Sequence, residues 1–237
     1  MFRPLPGLTV ATLVALAILI ALGVWQLERR AEKHALLDQI AQRMNAPAAP
    51  VEILLASGAY AAQRAATAKG TFDHAAEVFV YAPRSDDSPA RPGFRVVTPL
   101  HLDSGGTILV DRGWIPSERK SPASRKLGQT EGETEIAGRL RPPAAPGTFT
   151  PAPDLKARTF YQRDSAAIAK AVGVRLSSPL VLEATTHVVG GPEPIPSLLN
   201  IPDNHLQYAL TWFSLAVVLV VVYLRLHAVQ GRLRLRR

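Results

Sequence analysis

The chain has 237 residues, 47% of them hydrophobic, with no cysteine and a formal net charge of +8. That length admits one domain with extra segments, or two small ones. The lack of cysteine excludes disulfides, thiol redox chemistry, c-type haem attachment and thiolate metal sites, and with only Met1 and Met44 as thioethers a soft copper carrier is not expected either.

Residues 1–6 are a short N-terminus carrying Arg3. "PGLTVATLVALAILIALGVWQL" follows, and its part 7–27 holds no charge. As a helix it spans about 30 Å, the thickness of the hydrocarbon layer. The run is longer than a signal-peptide core, and no small-x-small site precedes Glu28–Arg30, so it reads as an uncleaved membrane anchor. "ERRAEKHALLDQIAQRM" then repeats apolar residues at helical spacing (Ala31, Leu36, Ile40, Met44) and continues or bends from the membrane helix, with "NAPAAP" as its stop.

Next comes a strand-rich part. "TAKGTFD" and "EVFVYAPR" are short β-branched and aromatic runs, and "FRVVTPLHL" and "GTILVDRGWIP" flank the tight-turn signal "DSGG", which predicts a hairpin. "TEIAGRLRPP" is a further strand and "RTFYQRD" is extended. "DSAAIAKAVG" reads as a short helix with Asp164 as N-cap and Gly173 as its end, and "SPLVLEATT" reads as the last strand. The Pro-rich stretches "PPAAPGTFTPAPD" and "GGPEPIPS" are loops. The expectation is a compact α+β domain over 28–203, dominated by an antiparallel β structure of six or seven strands and large enough to bury its own core.

A second uncharged run, "LQYALTWFSLAVVLVVVYL", closes the apolar part of the chain, and a transmembrane helix is expected over 204–224. Residues 225–237 form a basic tail. Six of the 27 bases (Arg3, Arg225, Arg232, Arg234, Arg236, Arg237) lie outside 28–203; the remaining 21 face all 19 acids, so that domain has a net charge of only +2. Nucleic-acid binding by a basic domain is therefore not supported. The basic tail is a topology signal: positive flanks stay cytoplasmic, so both termini are expected in the cytoplasm and the domain on the outer face. The fold class is a membrane protein, a hairpin anchor of two transmembrane helices carrying an outer α+β domain.

Catalytic motifs are missing. There is no G-x-S-x-G, H-E-x-x-H, P-loop or G-x-G-x-x-G, and an enzyme is not expected. His74 with Glu77 is a weak metal pair, and His101 and His187 have no ligand-type neighbour at chelating spacing. "LVDRGWIP" has two readings: strand-end architecture with Trp114 packed, or a partner or ligand surface using Arg112 and Trp114.

The outer ends of the two spans carry the remaining signal. Trp25 closes the first span, and Tyr208 and Trp212 open the second at the same interface, as an aromatic belt would. The belt does not account for His205. At 100° per residue, Tyr208 lies about 60° and Trp212 about 20° from His205 around the helix, so the three share a face that continues into Ala216 and Leu219. A histidine heading an aromatic stripe suits axial ligation of a planar macrocycle, with Arg29 and Arg30 one turn beyond Trp25 for propionates. An interfacial packing histidine is the other reading.

"GVWQLERR" (23–30), "PGFRVVTPL" (92–100), "VDRGWIP" (110–116) and "NHLQYALTWF" (204–213), in that order between two terminal spans, resemble the Surfeit locus protein one family of cytochrome c oxidase assembly factors. The similarity covers essentially the whole chain. One departure is Glu32, which stands where the family often has an aromatic before the lysine, here Lys33. The resemblance implies a non-enzymatic, multi-pass protein of the bacterial plasma membrane or mitochondrial inner membrane. It implies binding or presenting haem a for insertion into oxidase subunit I, with that subunit, other oxidase assembly factors and the lipid bilayer as partners. Its site residues carry over as His205 for the haem iron, with Tyr208, Trp212, Trp25, Gln26 and Arg29 around it. A protein-only scaffold that stabilises a subunit I intermediate is the alternative, and an enzyme of haem or quinone chemistry a more distant third.

Overall fold

The computed structural model describes residues 3–84, 91–195 and 202–232. Part of the Pro-rich loop before the second span and Arg234, Arg236 and Arg237 of the basic tail lie outside the described residues. The chain divides into two units. One comprises Met1–Gln39 with Leu199–Arg237, and the other Ile40–Leu198.

The first unit is a pair of long apolar helices. Helix α1 covers Pro6–Asn45 and ends where Ala46, Pro47 and the residues beyond cannot extend it. Its apolar run and the charged run behind it are therefore one continuous helix. Both α1 and the last helix, His205–Val229, are long and apolar enough to cross a membrane, and each leaves nearly all of its apolar window unburied. A helix that is apolar all round and unburied has its apolar surface matched to lipid. The protein is a membrane protein with two transmembrane helices and a β-rich domain between them in sequence.

The second unit is that domain. Strand β1 (Ala49–Pro50) leads into helix α2 (Val51–Ala56), which the sequence did not signal. Strands β2 (Ala65–Phe72), β3 (Val78–Tyr81), β4 (Gly93–Leu102), β5 (Thr107–Pro116) and β6 (Glu133–Arg141) follow, then β7 (Thr159–Phe160), helix α3 (Ser165–Val172) and β8 (Val181–Ala184). The expected hairpin is β4–β5, and Asp164 caps α3 by accepting from the N–H groups of Ala166 and Ala167 at 3.0 and 3.1 Å. Helix α4 (His205–Val229) belongs to the membrane unit.

The sheet runs β1-β2-β6-β8-β5-β4-β3-β7, and β2 also pairs with β4 through Gly70↔Leu102, Thr71↔His101 and Phe72↔Leu100. That pairing closes a barrel of β2, β4, β5, β8 and β6. Numbered along the chain, its strands are arranged 1-2-3-5-4-1 with the third and fifth parallel, the Greek-key order of a small OB-type barrel. Most pairs are antiparallel, as expected. The parallel pairs β1–β2, β3–β7 and β5–β8 are not visible in residue patterns.

Alternation along β5 divides the core. Ile108 and Val110 point into a cluster with Leu100, Ile136, Leu140 and Leu182, closed by Val51 and Leu54 of α2. Leu109 points the other way, to Val78, Val97, Val181 and Ile168 of α3. The strand is buried on both faces, so it reads as a nearly continuous apolar run.

Candidate functional site

In the membrane unit the two helices run antiparallel, and polar contacts mark both ends of their seam. At one end the Thr9 and Tyr223 hydroxyls lie 2.7 Å apart, and the Leu5 N–H donates to His227 Nε2 at 3.3 Å. Near the other end Gly23 is the one buried residue of α1. A Cβ built on it would stand 2.5 Å from the Phe213 ring, so only glycine lets that ring reach the helix backbone. The seam face of α4 continues through the buried Ala209 and Ala216.

His205, the first residue of α4, sits at that end. Its Nδ1 lies 2.9 Å from Gln26 Oε1 on α1. With the amide oxygen as acceptor, Nδ1 carries the proton and Nε2 keeps its lone pair. Nε2 has no hydrogen-bond partner among the described residues. The His205 N–H donates to Asp203 Oδ1 at 3.2 Å, and the other carboxylate oxygen meets His34 Nε2 at 2.8 Å. Lys33 donates to the Pro202 carbonyl. The segment that delivers His205 is thus tied to α1 at three successive places. The hydrogen bond from His34, first, and that from the His205 backbone hold the half-buried Asp203 carboxyl below its ordinary range.

The residues singled out in the sequence form two contacting pairs, while Tyr208 and the half-buried Trp212 lie further along α4. Gln26 and His205 meet directly. Trp25 and Arg29 form a stack of their own on α1, with the guanidinium carbon 5.7 Å from the ring centroid, while Arg29 also pairs with Glu32 at 2.7 Å. Glu32, the departure from the family pattern, is thereby the partner of a predicted site residue. Tyr208 is 55% exposed and Trp25 47% exposed, so neither is packed into the seam. Asp203 and His34 escaped sequence reasoning, because nothing in the sequence links positions 169 residues apart.

In this site a haem fits the donor set. A neutral imidazole with its Nδ1–H held and its Nε2 open is the form that ligates iron, and the aromatic residues beside it are half-exposed. Among the described residues no group of three or more His, Asp or Glu side chains is placed to hold a bare metal ion. The weak His74–Glu77 pair is engaged otherwise. His74 Nε2 lies 2.8 Å from the Thr130 carbonyl, and Glu77 takes both terminal nitrogens of Arg125.

The "DRGW" stretch is architectural. Val96 faces Gly113 and Val97 faces Asp111, so Arg112 is the extra residue of a β-bulge. The bulge sends neighbouring side chains into separate buried charge clusters. Asp111, fully buried, accepts from Arg95 Nε at 2.6 Å and Arg163 at 3.1 Å, while Glu183 takes Arg95 at 2.6 Å and Arg141 at 2.7 Å. Burial acts to lower the Arg95 pKa, and the two carboxylates outweigh it and raise it. Arg112 lies over the Phe72 ring and donates to the Gly128 carbonyl. Burial pushes its guanidinium down to about 10, with Glu77 opposing and Arg125 adding to the shift. Trp114 is buried, donates from Nε1 to the Ala82 carbonyl at 2.7 Å, and pairs through its backbone with Glu193. Gly113 has φ +119°, and a Cβ there would lie 2.2 Å from the Glu193 carbonyl oxygen, so the position admits only glycine. Neither Arg112 nor Trp114 is presented as a surface.

The model of the SURF1 family matches residues 13–217. Surfeit locus protein 1 of Takifugu rubripes is 31% identical over 210 residues, covering 82% of this chain and 86% of the relative. Surfeit locus protein 1 of Homo sapiens is 32% identical over 216 residues, 82% of this chain and 69% of the relative. A SURF1-like protein of Rickettsia bellii is 28% identical over 215 residues, 89% and 87% of the two chains.

Proposed function

The chain belongs to the SURF1 family, and from that footing we propose that it is an assembly factor for the haem-copper cytochrome c oxidase. In this reading it holds haem a at the outer interface of its helix pair and presents it for insertion into subunit I. It acts in the bacterial plasma membrane or its mitochondrial counterpart, with both termini on the cytoplasmic side and the β-rich domain outside.

The observation that carries the reading is the Gln26–His205 pair. Gln26 fixes the imidazole proton on Nδ1 and leaves Nε2 as the electron-pair donor. Haem a is cargo here, and a single protein ligand suits cargo, since one bond is broken on hand-over. Asp203, His34 and Lys33 hold the start of α4, so that His205 stands at a fixed height against α1. Trp25 with Arg29 stacked on its ring stands next to Gln26, and the exposed Tyr208 and the half-buried Trp212 follow His205 on α4.

The test is the absorption spectrum of detergent-purified protein from cells that make haem a. The reading expects a haem band in the wild type that His205→Ala abolishes. A band that survives His205→Ala, or no band under any loading condition, overturns it and leaves the protein-only scaffold.

A further inference from the structure

Deeper along the helix pair a groove of about 480 Å³ opens between the two spans. Ala15, Ile18 and Leu19 of α1 form one wall, and Leu215, Leu219 and Val222 of α4 the other. Its volume lies in the range of small-molecule sites, roughly 300–1,000 Å³, and every one of these side chains is apolar.

Helical spacing ties this groove to the proposed haem site. On α1 the residues Ala15, Ile18, Leu22, Trp25 and Arg29 follow one another at alternating steps of three and four, which is one face. On α4 the same steps connect Val222, Leu219, Leu215, Trp212 and Tyr208. The seam contacts place Thr9 beside Tyr223, Gly23 beside Phe213 and Gln26 beside His205, so the two stripes run alongside each other in opposite directions. Ala15 and Val222 both line the groove at its deep end, and further along the same stripes lie Trp25 and Arg29 on α1 and Trp212 and Tyr208 on α4. The groove's longer wall, Leu215 to Val222, covers about 10 Å of helix, room for the outer two isoprene units of a farnesyl chain.

We propose that this groove receives the farnesyl chain of the haem, so that the protein selects haems with an isoprenoid tail over haems without one. The inference rests on the haem reading of the preceding subsection. A free lipid acyl chain is as apolar as the groove, so moving a tail from bilayer to groove releases little hydrophobic free energy. The selectivity comes from tethering. Once the macrocycle is held at His205, its tail enters the groove as an intramolecular step, at an effective concentration that loose lipid chains do not have.

The experiment titrates the full-length protein in lipid nanodiscs with haem b and with haem o, following the Soret band. Haem o differs from haem b in carrying a hydroxyethylfarnesyl group in place of one vinyl group. The expected result is about tenfold tighter binding of haem o, a factor well within one tethered contact. Ala15→Phe and Leu219→Trp, which fill the groove, should each remove most of that preference while leaving haem b affinity unchanged. Equal affinities in the wild type, or a preference that both variants retain, overturns the inference while leaving the His205 site standing. If neither haem gives a band that depends on His205, the haem reading fails, and photolabelling with a diazirine-bearing farnesyl probe tests the groove alone. Labels on 15–22 and 215–222 that Leu219→Trp suppresses uphold a prenyl groove. Labelling no different from that of a diazirine-bearing phospholipid refutes it.

Discussion

Replacing Gln26 by leucine tests the central contact of the site. The side chain keeps its volume but loses the oxygen that stands 2.9 Å from His205 Nδ1. Two effects follow. The Nδ1–H loses its acceptor, a net loss of about 0.5–1.5 kcal/mol. The ring also becomes free to carry its proton on Nε2, where it blocks ligation. Removing such an orienting partner typically lowers metal affinity about 10–100-fold, or about 1.4–2.7 kcal/mol. Gln26→Leu is therefore expected to weaken haem a binding by that factor, read from a Soret titration in nanodiscs. Gln26→Glu gives the opposite sign, because a carboxylate on Nδ1–H makes the imidazole a stronger donor: ferric haem binds more tightly and its reduction potential falls. A purely packing role for Gln26 would weaken binding in both variants alike. Gln26→Leu binding within twofold of wild type would refute the orienting role.

Two further outcomes follow from the charged groups. Asp111→Asn leaves Arg163 without its carboxylate and Arg95 with Glu183 alone, so a loss of about 3–5 kcal/mol is expected. For a unit of this size that lowers the thermal midpoint by about 6–20 °C, measured by circular dichroism on the full chain, and a shift below about 3 °C would contradict the account of the buried cluster. The Asp203 carboxyl titrates below its ordinary range, chiefly through its bond to His34. A depressed carboxyl pKa means that its contribution is present above the unfolded value and is lost as pH falls through the folded one. The His205 amide, bonded to Asp203, should stay protected from hydrogen exchange at neutral and mildly acidic pH and lose protection only below about pH 4. Loss of protection between pH 6 and 7 would show that the Asp203 carboxylate is not what holds it.

What was legible in the sequence is what depends on nearest neighbours along the chain. Both spans, the β4–β5 hairpin with its "DSGG" turn and the Asp164-capped helix follow from runs, turn residues and caps, which act over a few positions. Barrel closure does not, since it depends on Gly70–Phe72 finding Leu100–Leu102 across an intervening strand. The parallel β5–β8 pair is equally silent, because a strand buried on both faces shows no alternation to set its direction. The short α2 escaped because six residues after a proline carry too little period to tell a helix from a loop. In "VDRGWIP" the unusual composition was visible, but its cause was not. A bulge places Asp111 and Arg112 in different clusters, and only the pairing register with β4 reveals it.

The site was half legible for a related reason. Helix periodicity grouped His205 with Tyr208 and Trp212 because all three lie on one helix, but the contact that gives His205 its chemistry is made to the other helix. That contact depends on the register of α1 against α4. Apolar side chains alone would leave the register loose, since membrane helices gain little from burying one apolar surface against another. Here the register is over-determined. Phe213 fits only over Gly23, Thr9 reaches Tyr223, and Lys33 and His34 catch Pro202 and Asp203. A slip of one turn, about 5.4 Å, would break the Thr9–Tyr223 hydrogen bond within the bilayer and drive Phe213 against a residue with a side chain. The seam contacts at both ends, which have no ligand role of their own, are therefore what bring Gln26 to His205. Enlarging Gly23 would disable the site without touching any residue of it.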